Sequence, residues 1–316
     1  MRLSRPLIAL TVLAGLVGAG AGLFARDLVA ARRRVAGATR RMVTTPQGLV
    51  EVADLGVGAP VMVLHGAAGG FDQSLDMAGA LAGEGFRLIA PSRFGYLGSP
   101  APDDAGPDAQ ADALAAMLDT LNLRSVTVAA LSAGAWSALA FAARHPARCR
   151  ALVLIGPAQA LPPGVRIHGG ALATAVFHSD LAAWLIGRLT LALPGLFGAV
   201  MLGAPAEIIR AAGPAERVRL QQILDHLLPI RSRSAGMTLD VATAAAPPPL
   251  DLARIACPVL AIAAEDDVFG TDDRARQIAA GVGHGRALIL PDGGHALVGR
   301  VDEALRAAAA FLRENG

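Results

Sequence analysis

From residue 42 onward, short apolar runs of strand length alternate with amphipathic stretches of helix length. This alternation constrains the fold of the 316-residue chain more than any other feature. Val61–Leu64, Phe86–Ala90, Ser125–Ala130, Ala151–Ile155, Pro258–Ala263 and Ala287–Leu290 each have the length of a strand buried on both faces. Helical periodicity covers 72–82, 108–121, 133–144, 271–281 and 299–313. Arg41–Thr45 and Leu49–Leu55 bracket Pro46-Gln47-Gly48 and predict a hairpin. Repeated strand–helix units imply an α/β fold, with a mostly parallel central sheet and helices on both faces.

Residues 159–256 interrupt the rhythm. They hold helical stretches at Ser179–Leu193 and Pro214–Leu228, and loops at Pro162-Pro163-Gly164 and Pro247-Pro248-Pro249. No convincing strand is found there. The division predicted is a core from 42–158 and 257–316, an inserted helical cap over 159–256, and a separate segment over 1–41.

That first segment carries its own signal. Every basic side chain other than histidine is arginine, and residues 1–41 hold eight of the 28 arginines but one acid, Asp27, of 26. The remainder has 20 basic against 25 acidic residues, a net charge of −5. Phosphate neutralisation would require a basic patch on the folded domain, so nucleic-acid binding is not expected. The arginines instead flank Pro6–Ala25, PLIALTVLAGLVGAGAGLFA, which has no charge. About twenty helical residues span roughly 30 Å, the thickness of a bilayer core, which predicts an uncleaved N-terminal transmembrane helix. The alternative is a signal peptide cleaved near Ala19-Gly20-Ala21. Arg26, Arg32, Arg33, Arg34, Arg40 and Arg41 outnumber Arg2 and Arg5, which favours the cytoplasmic face for the following domain. Such arginines would meet anionic headgroups. No protein partner is inferable.

VAALSAGAW, residues 128–136, sets Ser132 where an apolar run ends and an alanine-rich helical pattern begins. A strand, a small-residue turn around serine and a helix form the context of a nucleophile elbow. The chain resembles the α/β-hydrolase family here, over residues 42–316, in its serine-hydrolase branch with a helical cap. The family pattern is G-x-S-x-G; this chain has Ala130 at the first glycine and keeps Gly134 at the second. The resemblance implies a base after the last strand, where Pro291-Asp-Gly-Gly-His-Ala-Leu297 offers His295. It also implies a carboxylate after the seventh strand, where Leu260-Ala-Ile-Ala-Ala-Glu-Asp-Asp-Val-Phe269 offers Asp267, with Asp266 as the alternative. Serine needs such a base because its hydroxyl is almost wholly protonated at neutral pH. The oxyanion that forms needs two donors, which by position are the backbone N–H groups of Ala67 and Ala133. His65 is expected to tie down its loop. In Phe94-Gly95-Tyr96-Leu97-Gly98-Ser99 the resemblance predicts a structural loop, with Ser92 replacing the usual acid.

The reaction expected is hydrolysis of an apolar ester, as by a carboxylesterase or lipase, on a small apolar substrate and with no metal or cofactor. Resembling enzymes also hydrolyse carbon–carbon bonds of vinylogous diketones with the same triad, and a third reading is ligand binding without turnover. An aspartate-nucleophile mechanism is excluded by serine at the elbow, and epoxide opening by cap tyrosines is excluded because the one tyrosine is Tyr96. Leu181–Ala204, charged only at Arg188, predicts an apolar pocket beneath the cap. Arg188 and Pro194 argue against a second membrane span there. Ser179 is expected to cap the helix carrying Trp184. Cys149 and Cys257 precede strands that are neighbours in the implied fold, so the two thiols are expected side by side at the sheet end opposite the site.

Overall fold

The computed structural model describes residues 5–161 and 177–316, the side chains of 5–14 and 16 excepted. Eight strands form one sheet in the order β1-β2-β4-β3-β5-β6-β7-β8. They are β1 (Arg40–Thr45), β2 (Gly48–Leu55), β3 (Ala59–Leu64), β4 (Phe86–Pro91), β5 (Val126–Leu131), β6 (Cys149–Ile155), β7 (Val259–Ala264) and β8 (Gly285–Leu290). The β1–β2 hairpin is antiparallel, as is the β2–β4 pair. Every other pairing is parallel.

Successive side chains of a strand point to opposite faces, so each apolar run feeds two cores. Val61, Val63, Val153 and Ile262 pack with Leu81 and Phe311 on one face, beneath α2 (Phe71–Gly83) and α11 (Val301–Asn315). Met62, Leu64, Val128, Leu152 and Leu154 pack on the other face with α3 (Pro107–Thr120), α4 (Gly134–Arg144) and α10 (Thr271–Gly281). This is the expected mostly parallel sheet with helices on both faces.

Between β6 and β7 the described residues hold helices α5 (Asp180–Thr190), α6 (Pro194–Leu202), α7 (Ala206–Ala211), α8 (Pro214–Asp225) and α9 (Ser234–Ala245), and no strand. Ser179 caps α5 as expected, its Oγ accepting the Ala182 N–H at 3.3 Å. The loop expected at Pro162-Pro163-Gly164 lies outside the described residues. α5 and α6 do not run on as one helix but meet at 116°.

Two buried ion pairs clamp this helical insert to the core. Arg233, fully buried, donates to both carboxylate oxygens of Asp72 at 3.0 and 2.7 Å and to the Gly69 carbonyl at 2.6 Å. Arg93 spans Asp240 of α9 in the same forked manner, at 2.6 and 2.7 Å, and Tyr96 donates to Asp240 at 2.5 Å. Burial opposes the charge on Arg93, but Asp240 outweighs it and raises the guanidinium pKa.

The N-terminal helix α1 (Arg5–Gly37) lies with its second half against the insert. Arg34 donates to the Leu228 carbonyl at 2.9 Å and lies 3.5 Å from Asp72. Asp27 accepts from Trp184 and Arg188 of α5 at 2.9 and 2.6 Å. Half of the apolar run at 6–25, residues 6–14 and 16, lies outside the residues whose side chains are described. Among the described residues no single helix is long and apolar enough to cross a membrane.

Cys149 and Cys257 stand together at the amino-terminal ends of β6 and β7, with sulfurs 3.6 Å apart and both thiols free. The expected juxtaposition holds. β6 begins at Cys149 itself, two residues earlier than the apolar run indicates, because its pairing with Val126 of β5 extends the ladder.

Asp72 gives a stability prediction. Burial alone would raise its pKa, but the Arg233 guanidinium overrides this and brings it down to about 2. A carboxylate with a depressed folded-state pKa contributes stability above its unfolded pKa of about 4, lost as pH falls towards the folded value. Between pH 5 and pH 2 the wild type should therefore lose about 2–3 kcal/mol more than Asp72→Asn in urea unfolding. At neutral pH Asp72→Ala should cost about 3–5 kcal/mol, because it leaves Arg233 buried without its partner.

Candidate active site

β5 is buried along its whole length and points its carboxyl end into the turn that holds Ser132. Ser132 has φ +47°, the left-handed region that side chains rarely adopt. The turn is held on three sides: Ser132 N–H donates to the Ile155 carbonyl at 2.9 Å, and its carbonyl accepts from Ala135 at 2.9 Å and Ala158 at 3.2 Å. Strain of this kind costs on the order of 1–3 kcal/mol and persists only where the surroundings over-determine it.

The two small flanks of the turn are not equivalent. A Cβ added at Gly134 would sit 2.6 Å from the carbonyl oxygens of Leu64 and His65, whereas Ala130 is accommodated in the core between β3 and β6. The departure from the family pattern therefore falls where there is room, and the glycine is kept where backbone presses on backbone.

Residues 65–70 form the opposite wall. His65 is fully buried, its Nδ1 donating to the Gly66 carbonyl at 2.8 Å while Nε2 accepts the Arg93 N–H at 2.9 Å. Burial, reinforced by the neighbouring Arg93 guanidinium, holds its pKa well below the usual histidine range, so it stays neutral and structural. Arg93 also donates to the carbonyls of His65 and Gly66, at 3.0 and 3.2 Å. The Gly66 N–H is taken by Gln73 Oε1 at 3.1 Å. The N–H groups of Ala67 and Ala133 have no acceptor among the described residues. Gly69 and Gly70 are required by packing within the protein: added Cβ atoms would strike Gln73 and His65, and Leu97 and Arg233.

The third wall follows β7 and β8. Asp267 is buried, and its Oδ2 accepts His295 Nδ1 at 2.8 Å and also the Thr271 hydroxyl, while Oδ1 accepts the Phe269 N–H at 2.9 Å. Asp266 points elsewhere, accepting the Gly294 N–H at 2.8 Å and so fixing the loop that carries the histidine. With Nδ1 engaged by Asp267, the His295 Nε2 lone pair is left to accept a proton. The ring lies edge-on to Phe269, with centroids 5.1 Å apart, and its Cε1 would be 3.0 Å from a Cβ at Gly156. Gly156 directly follows the Ile155 carbonyl that holds Ser132. Ser132 and His295 thus converge on the same stretch at the end of β6.

The insert reaches this wall directly. The Gly203 carbonyl accepts the His295 N–H at 2.9 Å, and a Cβ at Gly203 would lie 2.3 Å from that of His295. Thr271, Gln73, Arg93 and Gly203 escape the sequence reading. Thr271 could have been marked by its place at a helix start four residues after Asp267; Gly203 carries no such signal. The acid absent at Ser92 is supplied from β2, because Glu51 accepts from Ser92 Oγ and the Gly98 N–H, each at 3.0 Å.

Gly134→Ala should destabilise the fold by about 1–3 kcal/mol, since the added methyl meets backbone that cannot yield. Ala130→Gly should cost no more than about 1 kcal/mol. Urea unfolding of the two variants measures the asymmetry.

Residues 59–179 match the family described as the alpha/beta hydrolase fold. A solved alpha/beta hydrolase fold protein from Nakamurella multipartita is 30% identical, with a TM-score of 0.72, covering 88% of this chain and 100% of that one. The uncharacterized hydrolase YcgS of Bacillus subtilis (strain 168) is 28% identical over 230 residues, 69% of this chain and 78% of its own. The 2-hydroxymuconate semialdehyde hydrolase of Pseudomonas sp. (strain CF600) is 35% identical over 109 residues, 33% of this chain and 38% of its own. Taken with the eight-stranded sheet and its inserted helices, these likenesses make the chain a member of the α/β-hydrolase fold family.

Proposed function

We propose that the protein is a serine hydrolase of apolar carboxylic esters. The observation that carries the reading is the Asp267–His295 hydrogen bond at 2.8 Å, made next to the stretch that holds the strained Ser132. In this reading Ser132 Oγ attacks the ester carbonyl carbon while His295 Nε2 takes the hydroxyl proton. Asp267 keeps Nδ1 protonated and stabilises the imidazolium. The N–H groups of Ala67 and Ala133 receive the oxyanion. Collapse of the tetrahedral intermediate breaks the carbon–oxygen bond, and His295 returns the proton to the leaving alcohol. A water molecule, deprotonated by His295, then releases the acid and restores Ser132.

A second reading, hydrolysis of a carbon–carbon bond in a vinylogous diketone, is favoured by the likeness to the 2-hydroxymuconate semialdehyde hydrolase. It would use the same three side chains. A third reading, ligand binding without turnover, fails if Ser132 is activated. The N-terminal helix would tether the protein to a membrane, with its domain on the cytoplasmic face; the twenty uncharged residues between basic flanks support that placement.

A fluorophosphonate should add covalently to the wild type and not to Ser132→Ala, as read by intact mass. A folded wild type that stays unlabelled would sink the enzyme reading. Asp267→Asn should lower kcat by about 10³–10⁴-fold, the effect of a lost histidine orienter, whereas Asp266→Asn should cost far less. Medium-chain acyl esters should be cleaved faster than acetates, each buried methylene being worth about 0.8 kcal/mol, or about four-fold in kcat/KM. Cleavage of ring-derived diketones in preference to all esters would promote the second reading.

A further inference from the structure

The outer face of α5 and α6 is the largest feature that the proposed chemistry leaves unexplained. The apolar stretch Leu181–Ala204 divides its large side chains: Leu202 is buried, with Leu191 and Met201 packed against the same cluster, and others stay outside. Ala183, Gly187 and Gly198 face the protein, while Leu181, Leu185, Leu193, Leu196 and Val200 face outward, the last two 70% and 73% exposed. The stretch has a single charge, Arg188, and that is turned onto Asp27 of α1. Exposed apolar side chains gathered on adjoining helices mark an interaction surface.

Three further observations say which. First, the patch continues onto α1: Phe24 packs edge-on against Trp184 at 5.6 Å, and Val17 and Leu23 are exposed along the same helix. Second, Arg26 and Arg32 on α1 keep side chains 69% and 63% exposed although they lie 2.8 and 3.9 Å from Asp27 and Asp180, so they remain open to anionic headgroups. Third, α5 and α6 are too short to cross a bilayer, at 11 and 9 residues or roughly 16 and 14 Å, and their 116° bend brings them back before they could. A short apolar ridge with arginines along the neighbouring helix is the pattern of an interfacial element lying at the headgroup boundary.

We propose that the outer face of α5–α6 docks on a lipid bilayer, laying the insert into the headgroup–acyl boundary, so that the site behind it draws esters from the membrane. The patch adjoins the site, because Gly203, the residue that follows α6, accepts the His295 N–H at 2.9 Å. The proposal rests on the membrane-tether reading and narrows the ester substrate to lipid-borne molecules.

The test uses the full chain in vesicles of phosphatidylcholine and phosphatidylglycerol brominated near the headgroup. A fluorophore is placed at Val200→Cys, or at Val57→Cys in the β2–β3 turn as a control; Cys149 and Cys257 are buried and stay unlabelled. Flotation with the vesicles reports the tether alone. Quenching at residue 200 at least three-fold stronger than at residue 57 is expected, in the Ser132→Ala background as well. In the second arm, Leu196→Asp/Val200→Asp should lower hydrolysis of a vesicle-borne ester at least ten-fold and that of a short soluble ester less than two-fold. Flotation without selective quenching overturns the docking surface and leaves the tether standing. Failure to float overturns both. Equal loss on the two esters overturns the delivery role. A wild-type dimer in detergent that the double variant converts to a monomer assigns the patch to a second copy and overturns the proposal.

Discussion

The guanidinium of Arg93 is the point at which core, insert and site meet. It donates to the His65 and Gly66 carbonyls on one side and to both oxygens of Asp240 on the other. A buried guanidinium has five donors in a fixed plane, so it dictates where each acceptor must stand. Pulling the two carbonyls towards Arg93 turns the peptide plane beyond them, and this leaves the Ala67 N–H aimed away from the core. Asp240, for its part, gains the Tyr96 hydroxyl. Position of the loop and position of α9 are therefore one quantity, not two.

The same economy governs the elbow. The ladder of β5 against β3 and β6 fixes where the strand ends, and the close approach of α4 to the end of β3 fixes which residue there must lack a side chain. Serine at +47° is the remainder of that geometry. Its conformation is imposed by neighbours that have no part in the proposed chemistry.

Much of this was legible in the sequence, for a physical reason. Buried parallel strands must be apolar on both faces, so the runs from Val61 to Leu290 mark themselves, and a turn between such a strand and a helix tolerates few residue types. The carboxylate partner of His295 was narrower than the sequence could resolve, because Asp266 and Asp267 differ only in which way the chain faces after β7. Arg93, Asp240, Asp72 and Arg233 were opaque. Their pairings join residues 147 and 161 positions apart, and no local pattern encodes a meeting at that range. The two-sidedness of Leu181–Ala204 was hidden for a related reason: an apolar stretch avoids water, but hydrophobicity alone does not say that Leu202 goes into the core while Leu196 and Val200 stay outside.

The lashing of α1 to α5 also sets an order in time. Asp27 is 161 residues ahead of Arg188 in the chain. At roughly 5–20 residues per second, a ribosome takes roughly 8–32 s to make that interval. During it Asp27 has neither the indole nor the guanidinium that later hold it, and the basic stretch around it is unopposed. Until Arg188 emerges α1 lacks this partner in the insert, so the joining of α1 to α5 comes only after β1 to β6 have been made.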